Sequence, residues 1–237
     1  MIRTIYWFTI FWIIMVFSSC YNFKYKSLCK NKGQDEGRRY LEEIVSKWAR
    51  FVVGKTGTEV HVTGVDNIPD ETVLFVSNHQ GYFDIPLLLG FVPKLKGFIA
   101  KKELKKIPLI SSWMNRINCI FIDRGNPRES IKSIRKGVEL LKEGNDLVIF
   151  PEGTRGKDSE VGEFKKGSLK LATKSKVPIV PITIDGSFNM LEERKRITKT
   201  KVYITIHPPE YTKDLSKEEE SDLTDKLQQI VKSGMRK

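Results

Sequence analysis

Short, mostly apolar runs return along this chain, and each is followed by a stretch with helical spacing. TVLFVSN, KGFIA, CIFID, DLVIF and VPIVPITID are short, and the most apolar of them show no polar alternation. Such runs suit strands buried on both faces, as in a parallel sheet covered by helices. Between them, FDIPLLLG reads as a short helix, and KKELKKIPLISSWMNRIN as a helical stretch broken at Pro108. Asn126-Pro127-Arg128-Glu129 opens another, with an N-cap, proline at the first position and glutamate at the third. That helix should run to Glu143 and stop at Gly144-Asn145. Lys165 to Lys176 reads as helix, TEVHVTG and KVYITIHP as strands, and Ser216 caps a last charged helix running toward Gly234. The expectation is an α/β fold with a largely parallel central sheet flanked by helices.

The N-terminus follows a different rule. No charge occurs between Arg3 and Lys24, and the stretch from Ile5 to Phe17 is apolar except for Thr9. A helix needs about 20 apolar residues to cross a bilayer, so this one spans only if its Ser, Cys and Asn end is included. Tyr6, Trp7, Trp12 and Tyr21 suit a membrane interface, and Lys24, Lys26, Lys30 and Lys32 would stay on the cytoplasmic side. Residues 1–23 therefore read as a membrane-anchor helix, spanning or lying in one leaflet. A cleaved signal peptide fits less well, because no A-x-A pattern follows; Phe17-Ser18-Ser19-Cys20 loosely suits a lipoprotein signal. Residues 24–35 read as a basic linker. A catalytic-size domain, 36–237, opens with a helix whose face carries Tyr40, Leu41, Ile44, Val45, Trp48, Phe51 and Val52.

Charge and cysteine content narrow the function. The 41 Lys and Arg against 29 Asp and Glu leave +12, which favours an anionic partner: nucleic acid, an acidic membrane or a phosphorylated substrate. The 3 cysteines give no disulfide framework, and the 3 scattered histidines give no zinc site. No G-x-S-x-G elbow and no G-x-x-x-x-G-K-[ST] loop is present.

Three strand ends carry candidate chemistry. TVLFVS delivers Asn78 and His79, and Asp84 follows at the start of the next helix. An aspartate bonded to one imidazole nitrogen fixes the tautomer and raises the basicity of the other. Alone, the short and common H-x-x-x-x-D pattern suits a turn with a capping aspartate better than a catalytic pair. DLVIF delivers Phe150-Pro151-Glu152-Gly153-Thr154-Arg155, where Gly153 permits a tight turn and Arg155 offers a fork of donors to phosphate. Glu152 suits orientation of that guanidinium or a substrate hydroxyl. IFIDR places Arg124 at a third strand end, and Lys101 follows KGFIA. The lysine clusters 101–102, 105–106 and 165–166 suit either a solvated face or an anionic lipid surface. Residues around Ile107 to Met114 suit an acyl-chain groove or ordinary core.

NHQGYFD, IFIDR, FPEGTR and VPIVPITIDGS, in this order over roughly residues 58 to 190, resemble the motifs of the glycerolipid acyltransferases. With the AKKEL segment and the short chain, the pattern is most similar to the bacterial 1-acyl-glycerol-3-phosphate acyltransferase type. The resemblance implies acyl transfer from a coenzyme A or acyl carrier protein thioester to the sn-2 hydroxyl of lysophosphatidic acid. It implies His79 as general base, Asp84 as its partner, and Arg124, Glu152, Gly153, Thr154, Arg155 and Lys101 as phosphate-binding residues. No cofactor, metal or nucleic acid is expected; the apolar N-terminus and the lysines after it, which match none of these motifs, lead to the expectation of an inner-membrane enzyme whose domain faces the cytoplasm. An acyltransferase with another acceptor, or a non-catalytic basic lipid-binding protein, are the alternatives; the second leaves NHQGYFD and FPEGTR unexplained.

Overall fold

The computed structural model describes residues 1–123, 125–156 and 158–236. The chain opens with three helices, α1 (Ile2–Phe17), α2 (Tyr21–Lys32) and α3 (Gln34–Gly54). The sheet and its helices follow as β1 (Glu59–Thr63), β2 (Leu74–Ser77), α4 (Asp84–Phe91), β3 (Lys96–Lys101), α5 (Pro108–Arg116), β4 (Ile120–Ile122), α6 (Pro127–Lys142), β5 (Asp146–Ile149), α7 (Lys170–Ser175), β6 (Ile179–Asp185), α8 (Phe188–Leu191), β7 (Lys201–Ile206) and α9 (Lys217–Ser233).

The seven strands lie in the order β1-β7-β6-β2-β5-β3-β4. From β6 to β4 every neighbouring pair is parallel; β6 and β7 alone are antiparallel. The largely parallel α/β expectation holds, with β7 and its parallel neighbour β1 as the reversed edge. Side chains alternate across the sheet as the strand period of two requires. Phe75, Val148, Val180 and Ile182 meet α1, α3 and α4, while Leu74, Val76, Leu147, Ile149 and Ile179 meet α6, α7 and α9. Both faces are thus covered, which is why these strands read as continuous apolar runs.

Local signals were obeyed where they were complete. Asn126 Oδ1 accepts the N–H groups of Arg128 and Glu129 at 3.1 and 3.3 Å, capping α6. Ser216 and Glu219 form a reciprocal capping box at α9. Two expectations need correction. The basic stretch after residue 23 is helical through Lys32, since its lysines project from α2 into solvent without opposing the helix. The helix expected from Lys165 to Lys176 is regular only over Lys170–Ser175, because Lys165 N and Lys165 O bond to Pro151 and Ser168 in a turn instead.

One side of α1 is docked on the domain. Trp7 is buried, its Nε1 donates to Val52 O at 2.8 Å, and its ring meets Phe11 and Phe83. Met15 is buried as well, and Trp113 Nε1 of α5 donates to Ser18 Oγ at 2.8 Å. The opposite side exposes Ile5, Phe8, Trp12, Ile13, Val16 and Phe17. Among the described residues, one helical run, Ile2–Lys32, is long and apolar enough to cross a membrane by length and composition.

Candidate active site

The strand order explains why distant motifs meet. The chain leaves β2 outward to β3 and β4, returns in β5 beside β2, and then places β6 on the other side of β2. This reversal brings the carboxyl ends of β6, β2 and β5 side by side, the place where open α/β sheets hold their sites.

Asn78, just after β2, joins it to β6. Its Nδ2 donates to Ile184 O and its Oδ1 accepts Ile184 N–H, both at 2.8 Å. An amide is the side chain that offers both a donor and an acceptor here, so Asn78 adds a rung to the β2–β6 ladder. The next residue is thereby fixed in direction.

His79 Nδ1 lies 2.7 Å from Asp84 Oδ2. Asp84 is fully buried, and the same oxygen accepts Gln80 N–H at 2.7 Å and Gly81 N–H at 2.8 Å. Its Oδ1 accepts the hydroxyl of Ser187, which reaches over from the end of β6. Asp84 therefore does not cap α4: Phe83 occupies the cap position, and the carboxylate turns back to the loop before it. A buried carboxylate needs donors around it, and Asp84 has them in His79 Nδ1, the Gln80 and Gly81 N–H groups and the Ser187 hydroxyl. With the carboxylate accepting from Nδ1, that nitrogen carries the proton, and Nε2, directed away from Asp84, has no hydrogen-bond partner among the described residues.

The imidazole is held flat as well as in register. Its ring stacks on Phe150, with centroids 4.1 Å apart and planes 15° apart. Its backbone N–H donates to Glu152 Oε1 at 2.9 Å, and its carbonyl accepts Gly156 N–H at 2.8 Å. The β5 loop thus braces the β2 loop from the side opposite Ser187. The imidazole retains 18% exposure against none for Asp84.

The second group of residues spreads outward from this centre. Gly153 has φ +73°, the left-handed conformation its turn was expected to need, and the Lys165 side chain lies over it. Thr154 is exposed, and the Arg155 guanidinium sits 3.7 Å from the centre of the Tyr82 ring. Lys101 is exposed at the end of β3, with β5 between it and β2. Arg124 lies outside the described residues; the strand before it ends at Ile122. Glu152 is placed differently from its expected role. It is 6% exposed, points inward to His79 N–H and the Gly162 backbone, and burial raises its pKa against those bonds. In that position its carboxyl organises the loop that carries His79.

Three participants were not anticipated from sequence. Ser187 bonds Asp84 and also Gln80 Oε1. Glu192 Oε1 accepts Tyr82 N–H at 2.7 Å. Phe150 supplies the ring under His79. Ser187 and Glu192 lie 103 and 110 residues from their partners, so no local pattern could pair them.

The pattern of a family described as Acyltransferase matches residues 59–185. A probable 1-acyl-sn-glycerol-3-phosphate acyltransferase of Mycoplasma pneumoniae is 34% identical over 195 residues, covering 80% of this chain and 72% of that one. A chloroplastic 1-acyl-sn-glycerol-3-phosphate acyltransferase of Arabidopsis thaliana is 33% identical over 180 residues, 74% of this chain; those residues span 50% of the plant protein's length. The crystal structure of the 1-acyl-sn-glycerophosphate acyltransferase PlsC from Thermotoga maritima superposes with a TM-score of 0.85 at 34% identity. That superposition covers 98% of this chain and 93% of the other.

Proposed function

Since this chain belongs to the acyltransferase family, we propose that it acylates the sn-2 hydroxyl of 1-acyl-sn-glycerol-3-phosphate from a thioester donor, giving phosphatidic acid. The observation that carries this reading is the buried, fully bonded Asp84 that leaves His79 Nε2 as the free base. In the step proposed, Nε2 takes the hydroxyl proton while the oxygen attacks the thioester carbonyl. The tetrahedral intermediate then collapses and expels the thiolate, which receives the proton back from His79. The new ester forms as the thioester breaks, and no acyl group rests on the protein. A positioned base of this kind contributes about 10²–10⁴-fold.

The acceptor phosphate is assigned to Arg155, with Gly153, Thr154, Lys101 and Arg124 as further contacts. The test is formation of phosphatidic acid by the purified protein, with acyl-CoA and acyl carrier protein donors in separate arms. Arg155→Ala should raise the acceptor KM roughly tenfold or more, as loss of a charged hydrogen bond does. An unaltered acceptor KM removes Arg155 from phosphate binding.

The same reading places the enzyme on a membrane surface. A spanning helix is wrapped in lipid, whereas α1 commits Trp7 and Met15 to the domain. We assign it to one leaflet, lying in plane, with the domain on the cytoplasmic face of the inner membrane. The double substitution Trp12→Lys and Val16→Lys, on the exposed side, should weaken partition onto anionic vesicles by at least about tenfold. Unchanged partition assigns the attachment to another surface.

A further inference from the structure

Glu192 and Tyr82 have no place in the proton transfer, yet they join the last motif segment to the first and to the arginine of FPEGTR. Glu192 follows α8 and turns its carboxyl into the Asn78–Phe83 loop. Its Oε1 takes Tyr82 N–H, and its Oε2 is buried with no hydrogen-bond partner among the described residues. The carboxyl packs flush against Gly81, where any Cβ would collide with it. Two carboxyls therefore grip this loop: Asp84 holds the N–H groups of Gln80 and Gly81, and Glu192 holds the next one. The Tyr82 backbone is fixed in this way while its side chain stays 63% exposed. On that open ring lies the Arg155 guanidinium. Burial raises the Glu192 pKa; the Tyr82 N–H bond opposes the rise, and the Arg155 charge does so least.

We infer that Glu192 and Tyr82 are positioning residues for the acceptor: Glu192 fixes Tyr82, and the Tyr82 ring is the platform that aims Arg155 at the phosphate. This rests on the assignment of Arg155 to the acceptor phosphate. The arrangement ties the anion-binding group to the same loop that carries His79, so the distance from phosphate to base is set by one short segment. A ring in this exposed position strengthens the aim of a guanidinium without contacting the reacting atoms.

The test is a steady-state comparison of Tyr82→Ala, Tyr82→Phe, Glu192→Ala, Glu192→Gln, Arg155→Ala and the Arg155→Ala/Tyr82→Ala double variant. Tyr82→Ala and Glu192→Ala should raise the KM for lysophosphatidic acid about two- to tenfold, the range for loss of a cation–π contact, with kcat and the donor KM unchanged. Tyr82→Phe keeps the ring and Glu192→Gln keeps an acceptor for Tyr82 N–H, so both should match the wild type. Tyr82→Ala should add nothing in the Arg155→Ala background. The inference is overturned if Arg155→Ala raises the acceptor KM while Tyr82→Ala does not, or if the two effects simply multiply. It is also overturned if Tyr82→Ala or Glu192→Ala lowers kcat alone, which assigns the loop to the base. If Arg155→Ala leaves the acceptor KM unchanged, the phosphate assignment itself falls and takes this inference with it.

Discussion

His79→Ala is expected to leave a folded protein whose acyl transfer is slower by at least about 10²–10⁴-fold. The fold should survive because the native loop does not hang on the imidazole. The backbone N–H of residue 79 still donates to Glu152, and its carbonyl still accepts Gly156 N–H. Asp84 keeps Gln80 N–H, Gly81 N–H and the Ser187 hydroxyl. What disappears is the group with a free nitrogen and a charged partner, together with its stack on Phe150. The loss should fall on kcat, because the proton is transferred only in the transition state. The measurement is single-turnover formation of phosphatidic acid beside a circular-dichroism melt. A variant that melts like the wild type and retains full activity eliminates His79 as the base.

The parts of this architecture that could be read from sequence are those written in short range. Buried strands announced themselves because both sheet faces are covered, and Asn126 and Ser216 announced helix starts because a cap needs only the next few residues. The His79–Asp84 pair was visible for the same reason, its members being five residues apart. Spacing alone left open whether Asp84 caps the helix or faces the imidazole. The decision comes from donors on the loop and from Ser187, which the β6 crossover delivers. Glu192 was silent for that reason too. Glu152 and Arg155 are near neighbours in sequence, yet the turn at Gly153 sends their side chains to different places, one onto His79 N–H and the other onto the Tyr82 ring. Lys96 shows the same limit within the core. A lysine opening a strand reads as solvated, yet it is buried and donates to the carbonyls of Leu88 and Val92 at the end of α4. Burial brings its pKa down to about 7, and those carbonyls partly offset the cost.

Asp84→Asn separates the charge of this residue from its architecture. The amide oxygen can take the place of Oδ2, where His79 Nδ1–H and the N–H groups of Gln80 and Gly81 all require an acceptor. The amide NH2 then faces Ser187 Oγ, which can accept that bond and turn its own proton to Gln80 Oε1, 3.1 Å away. Every donor of the native site keeps a partner in this arrangement and only the second amide N–H lacks one, so thermal stability should fall less than in Asp84→Ala. His79 keeps its tautomer but loses the anion that stabilises the imidazolium formed as the proton moves. In a Ser-His-Asp triad the corresponding change costs about 10⁴ in kcat, part of it through the wrong tautomer. Here the donors hold the tautomer, and a fall of about 10²–10⁴ is expected. Asp84→Ala should behave differently. It strands buried N–H groups at about 1–3 kcal/mol each and should lower the melting temperature as well as the rate. Asp84→Asn with activity within tenfold of the wild type would show that Asp84 serves the loop alone and that its charge is not used in the transfer.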